Sequence, residues 1–90
     1  MHKRVHIVFR GMVQGVGFRY TSESIAGSLG VEGWVRNVPS GEVELVVEQE
    51  ESVLNDFICR LEDEFGGYIK DKQVDWSTAT GEFDGFRIEF

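Results

Sequence analysis

The chain has few of the residues that usually carry special chemistry or staple a small fold. Its 90 residues include one cysteine, one proline and two histidines. The lone cysteine, Cys59, closes no internal disulfide, which agrees with a reducing compartment. It lies in a helical apolar pattern and reads as a small buried or half-buried side chain, with a reactive thiol as the sharper alternative. No CxxC, no HExxH and no Asp/Asn ladder at calcium-loop spacing is present, so no metal site is expected. His2 and His6 have no Ser or Cys nearby and read as surface groups. Apolar runs stay far below the roughly 18–20 residues of a membrane-spanning helix. Val5 to Phe9, behind the basic Met1-His2-Lys3-Arg4, is too short and interrupted for a signal-peptide core. The expectation is a cytoplasmic chain without membrane attachment.

Positive charge is also scarce. Nine Lys and Arg face sixteen Asp and Glu, for a net charge of −7, which argues against a nucleic-acid partner. An RNA-recognition module of similar topology is disfavoured further by the lack of an aromatic K/R-G-F-G-F-V-like strand. The distribution says more than the total. Residues 1–47 hold five Lys or Arg against four Glu; residues 48–90 hold four against twelve Asp or Glu. An anion site would have to be built from the first half. The length fits one domain, residues 1–90, given a typical size of about 100–150 residues.

Residue patterns then give an order of elements. Val5, Ile7 and Phe9 alternate with His6, Val8 and Arg10 as in a strand. From Phe18 the apolar positions take helical spacing through Ile25, Ala26 and Leu29, with Gly30 as the stop. Val31–Val38 reads as a second strand, Val38-Pro39-Ser40-Gly41 as a turn, and Val43, Leu45 and Val47 as a third strand with glutamates on its wet face. Glu50, Glu51 and Ser52 open a second helix, with Ser52 as its expected N-cap. Its apolar stripe runs through Val53, Leu54, Phe57, Ile58, Leu61 and Phe65 to Gly66-Gly67. A strand over Lys72–Ser77 and a terminal strand over Phe86–Phe90 complete the chain. Trp34, Trp76 and the phenylalanines read as core or sheet-face packing. Glu62-Asp63-Glu64 reads as a solvated helix face. This order predicts an α+β, ferredoxin-like βαββαβ sandwich with a four- to five-stranded, mainly antiparallel sheet and two helices on one face.

The loop Gln14-Gly15-Val16-Gly17-Phe18-Arg19 joins a strand to a helix start, where free N–H groups and the helix dipole favour an anion. Glycines let successive amides point one way as a nest. A tight turn without a ligand is the competing reading. The loop does not end in the Gly-Lys-Ser/Thr of a nucleotide P-loop. Arg19 is misplaced against the dipole by a few tenths to about 1 kcal/mol unless an anion lies between it and the amides; otherwise it is a solvent-exposed arginine indifferent to its position. Asn37, before the Pro-Ser-Gly turn, reads locally as a turn residue; across the sheet it can also hold a water facing a bound anion.

Gly11-Met-Val-Gln-Gly-Val-Gly-Phe-Arg19, Gly30-Val-Glu-Gly33-Trp-Val-Arg-Asn37 and Gly41-Glu-Val-Glu-Leu-Val-Val-Glu48 closely resemble the acylphosphatase family, strongly over residues 5–48 and in outline beyond. Gly17 makes the loop more similar to microbial members than to animal ones. Two departures lie outside these motifs. Phe65-Gly-Gly-Tyr-Ile69 stands where many relatives have a glycine-proline segment, and Gln49 stands where many have glycine.

The resemblance implies a cofactor-free hydrolase that converts small-molecule acyl phosphates to a carboxylate and inorganic phosphate; a monomer is expected. It also implies that Arg19 binds the phosphate, that Asn37 orients the attacking water, and that the backbone amides of Gln14, Gly15, Val16, Gly17 and Phe18 form the cradle. Two alternatives remain at this level. One is a non-catalytic phosphate- or anion-binding ferredoxin-like module. The other is a carbamoyl-phosphate-handling domain like that of hydrogenase maturation carbamoyltransferases, against which stands the absence of zinc-finger cysteines downstream.

Overall fold

The alternation around Val5 becomes strand β1, His2–Gly11, in a computed structural model that describes residues 1–90. It is followed by α1 (Phe18–Leu29), β2 (Glu32–Asn37), β3 (Val43–Glu50), α2 (Glu51–Phe65), β4 (Ile69–Thr78) and β5 (Phe86–Glu89). The five strands form one sheet in the order β4-β1-β3-β2-β5. Three of its pairings are antiparallel; β2 and β5 run parallel, so the terminal strand closes one edge of the sheet. This is the expected ferredoxin-like α+β architecture, with a fifth strand. No helix is long and apolar enough to cross a membrane.

Period-two alternation sends Val5, Ile7 and Phe9 of β1, Val35 of β2 and Val43, Leu45 and Val47 of β3 towards the helices. They meet Phe18 and Ala26 of α1 and Leu54, Phe57, Ile58, Leu61 and Phe65 of α2 in one buried cluster. Phe18 packs between two rings, 5.2 Å from Phe9 and 4.6 Å from Phe65 between centroids. That stack anchors the first residue of α1. Gly33, the second glycine of the second motif, is needed for a different reason. Its φ is +141°, and a Cβ there would collide with the carbonyl oxygen of Val46 on the neighbouring strand.

Three local expectations are corrected. Ser52 does not cap α2. Strand β3 runs straight into the helix, so Glu50 takes the cap position, without a side-chain capping bond, and Ser52 lies inside the first turn. Cys59 is exposed, not buried or half-buried, because the core-facing stripe passes through Ile58 and Leu61 and leaves position 59 on the solvent side. Trp76 and Phe90 are exposed, not packed: Trp76 lies on the edge strand β4 and keeps 42% of its surface in solvent, and Phe90, just past the end of β5, keeps 93%. The departure at Gln49 has a structural role: its amide nitrogen donates to the carbonyl of Gly30, at the end of α1, at 2.7 Å. The segment after α2 also has one, since the carbonyl of Tyr68 accepts from the N–H of Met12 at 2.9 Å.

The face of the sheet away from the helices is a lattice of opposite charges. Arg36 pairs with Glu44 at 2.7 Å, His6 lies 2.6 Å from the other Glu44 oxygen, and Arg10 pairs with Glu42 at 2.8 Å. Residues 79–85, which carry the chain from the β4 edge to the β5 edge, cross this face as a strap held by Glu48. That carboxylate is almost fully buried, and it accepts from the N–H groups of Thr80 (2.9 Å) and Gly81 (3.0 Å), the Thr80 hydroxyl and Arg4. Burial alone would raise its pKa; the Thr80 and Gly81 amides, then the Thr80 hydroxyl and Arg4, outweigh that and hold it below the usual carboxylate range.

A lowered folded-state pKa means that Glu48 stabilises the fold fully above its unfolded pKa of about 4.3 and loses that contribution as pH falls through the folded value. The Glu48→Gln variant is therefore expected to be less stable at pH 7 by about 1–3 kcal/mol, from the lost charge-assisted bonds. For a domain of this size that corresponds to a melting temperature lower by roughly 4–20 °C. Thermal unfolding at pH 7 and pH 3 checks it: the gap between variant and parent should narrow at the lower pH, and a gap independent of pH would refute the assignment.

Candidate active site

At the end of the sheet away from the strap, β1 leaves through Gly11 into the glycine-punctuated loop and re-enters the fold as α1. Two residues pin the loop to the core: Val13, fully buried, and Phe18, 2% exposed. Between them the chain bulges outward. Gly15 (φ +77°) and Gly17 (φ +82°) adopt left-handed backbone conformations that side-chain-bearing residues rarely adopt, with Gly17 at the N-cap of α1. No side chain caps that helix, and no acid lies in its first turn. None of the backbone N–H groups from Val13 to Tyr20 has a backbone acceptor; the first helical bond is from Thr21 to Gly17. The result is a run of free donors at the positive end of a helix dipole.

Arg19 stands in this first turn, half-buried. The chain has six arginines. Arg4, Arg10, Arg36, Arg60 and Arg87 each pair with a carboxylate, and Arg19 does not. Its neighbour is instead an aromatic ring, with the guanidinium carbon 4.9 Å from the centroid of Phe90. In so acidic a chain, an arginine without a carboxylate keeps its in-plane donors open.

Asn37 reaches the same place from the other side. It is the last residue of β2 and shares its alternation with buried Val35, so it faces the helix layer at the end where α1 begins. Val13, Gly15, Gly17, Phe18, Arg19, Tyr20 and Asn37 together line a cleft of about 140 Å³. Gln14 and Val16 belong to the same loop but are not in its wall.

One contributor was not evident from sequence. The Gln14 carboxamide donates through its nitrogen to the carbonyls of Val38 (2.7 Å) and Glu42 (2.9 Å). Those carbonyls flank the turn that follows Asn37, so Gln14 ties the loop to the hairpin. The Glu42 carboxylate points into other bonds: Ser40, then Arg10, holds it below the usual carboxylate range. No group of three or more His, Cys, Asp or Glu side chains is arranged to hold a metal ion.

The acylphosphatase family model matches residues 5–88. The chain belongs to the acylphosphatase family. The acylphosphatase of Syntrophus aciditrophicus (strain SB) is 43% identical over 90 residues, which cover 98% of this chain and 93% of that protein. The crystal structure of acylphosphatase from Bacillus subtilis superposes with a TM-score of 0.89 at 29% identity, over 98% of this chain and 99% of the other. Full-length HypF, in its phosphate- and nucleotide-bound form, carries a similar fold: TM-score 0.82, 27% identity, all of this chain but only 12% of that one. As an acylphosphatase, this chain hydrolyses the carboxyl–phosphate bond of acyl phosphates, releasing a carboxylate and inorganic phosphate.

Proposed function

We propose that the substrate's phosphoryl group docks on the amides of Gln14, Gly15, Val16, Gly17 and Phe18 and on the Arg19 guanidinium, while the Asn37 carboxamide holds a water in line with the scissile P–O bond. The observation that carries this reading is the coincidence in one cleft of an arginine without a carboxylate and a helix N-terminus whose amides lack acceptors. Each feature is unfavourable alone, and a dianion between them relieves both.

The chemistry asks little more of the protein. The water oxygen forms a bond to phosphorus as the bond to the acyl oxygen breaks, and that electron pair leaves with the carboxylate. One water proton passes to a phosphoryl oxygen, so the products are a carboxylate and dihydrogen phosphate. The leaving group's conjugate acid has a pKa of about 4, so no general acid is needed. Phosphoryl transfer through a loose transition state depends mainly on alignment and on neutralising charge at the equatorial oxygens. Arg19 and the amides supply the second, and Asn37 the first. On this reading the enzyme is cofactor-free, its partners are small anions, and it works as a cytoplasmic monomer; the single cysteine supports that compartment.

Purified protein should hydrolyse benzoyl phosphate in the presence of EDTA, with inorganic phosphate as a competitive inhibitor. Phosphate binding without turnover would instead make it an anion-binding module. Turnover confined to carbamoyl phosphate would make it a carbamoyl-phosphate-handling domain.

A further inference from the structure

The cleft is small against the roughly 300–1,000 Å³ of sites that enclose whole ligands. At about 140 Å³ it takes the phosphoryl end of a substrate and leaves the acyl group outside, on whatever surrounds the mouth. Two large aromatic side chains stand there in solvent. Tyr20 follows Arg19 in sequence, lines the cleft and is 63% exposed. Phe90 is 93% exposed, although its ring lies over the Arg19 guanidinium. Single exposed apolar residues are ordinary on a protein surface; two beside one cleft, both adjoining the group that would hold its ligand, are not explained by packing. The ring covers one face of the guanidinium and leaves its in-plane N–H groups free for phosphate oxygens. An acyl group leaving such a phosphate would pass the ring edges, and the only polar atom the two side chains offer is the Tyr20 hydroxyl.

From this placement, and resting on the docking of phosphate at Arg19 argued above, we infer that Tyr20 and Phe90 form an apolar rim for the acyl group. The rim selects acyl phosphates with aromatic or extended apolar acyl groups over acetyl and carbamoyl phosphate.

Acylphosphonates, in which the carbonyl carbon is bonded directly to phosphorus so that there is no scissile P–O bond, separate this inference from turnover. Benzoylphosphonate is expected to bind about tenfold more tightly than acetylphosphonate, the gain from burying one aromatic ring against another. In the Tyr20→Ser/Phe90→Ala double variant that ratio should collapse towards one, and the kcat/KM ratio for benzoyl over acetyl phosphate should fall in parallel. Phe90→Leu restores apolar bulk without a π face, so it should keep most of the preference if the rim acts by apolar contact. Equal affinities in the parent protein, or a ratio unmoved in the double variant, would overturn the rim while leaving phosphate docking intact. If neither phosphonate competes with inorganic phosphate and neither acyl phosphate is hydrolysed, the docking reading fails and the rim with it.

Discussion

Arg19→Ala is expected to lower kcat for benzoyl phosphate by about 1,000-fold or more, the scale set by removing an arginine that neutralises phosphoryl charge. Affinity for inorganic phosphate should fall by about 10- to 100-fold, since a charge-assisted bond contributes about 1.5–3 kcal/mol. Arg19→Lys should not rescue turnover, because an ammonium cannot present the planar pair of donors that spans two phosphate oxygens. Stability separates this from simple unfolding. Arg19 forms no ion pair and sits at the wrong end of α1 for a cation, so its removal should leave the melting temperature unchanged or slightly raised. A folded Arg19→Ala protein that keeps parental kcat would remove Arg19 from the mechanism. Steady-state kinetics with phosphate titration calorimetry and a thermal melt on the same preparation suffice.

Asn37→Ala should produce the opposite division. Turnover is expected to fall on the order of 100- to 1,000-fold, because losing the group that aligns the nucleophile costs about this much without changing charge. Phosphate affinity should stay at the parental value, since the cradle and Arg19 remain. The carboxamide caps no helix, and the backbone pairing of Asn37 with Val43 survives the substitution, so the fold should persist. The pair of variants is more informative than either alone. Arg19→Ala moves affinity and rate together; Asn37→Ala moves rate only. If Asn37→Ala weakened phosphate binding as much as Arg19→Ala does, its carboxamide would be a phosphate ligand and the water would need another holder.

How much of this was legible in the sequence follows from the range of the interactions. The loop could be read because its signals are local: glycines before a helical pattern, and an arginine in the first turn. The two helices and the first three strands follow from their apolar periods. Asn37 was ambiguous locally, and only the sheet register shows that its side chain shares a face with Val35 and so meets α1. The Gln14 carboxamide could not be read at all, since its acceptors are 24 and 28 residues away and a one-dimensional pattern does not hold them. Glu48 reads as one more glutamate on the wet face of β3; only the strap over it makes it a buried anchor. That strap has neither helical nor strand periodicity, so the sequence pattern gives no element between the last two strands. Phe90 lay in the expected terminal strand, but nothing in its alternation indicated a cation beneath its ring.

The two hydrogen bonds from Gln14 have a further consequence for how the enzyme works over a catalytic cycle. The half of the site that would grip phosphate and the half that would aim water hang from different strands, yet one side chain joins them, and Phe18 fixes the first of them to the core. A displacement of the glycine loop is therefore passed to the turn that follows Asn37. The spacing between the two halves is set by bonds within the folded chain, so the ordering cost of that link is met during folding and not by the substrate.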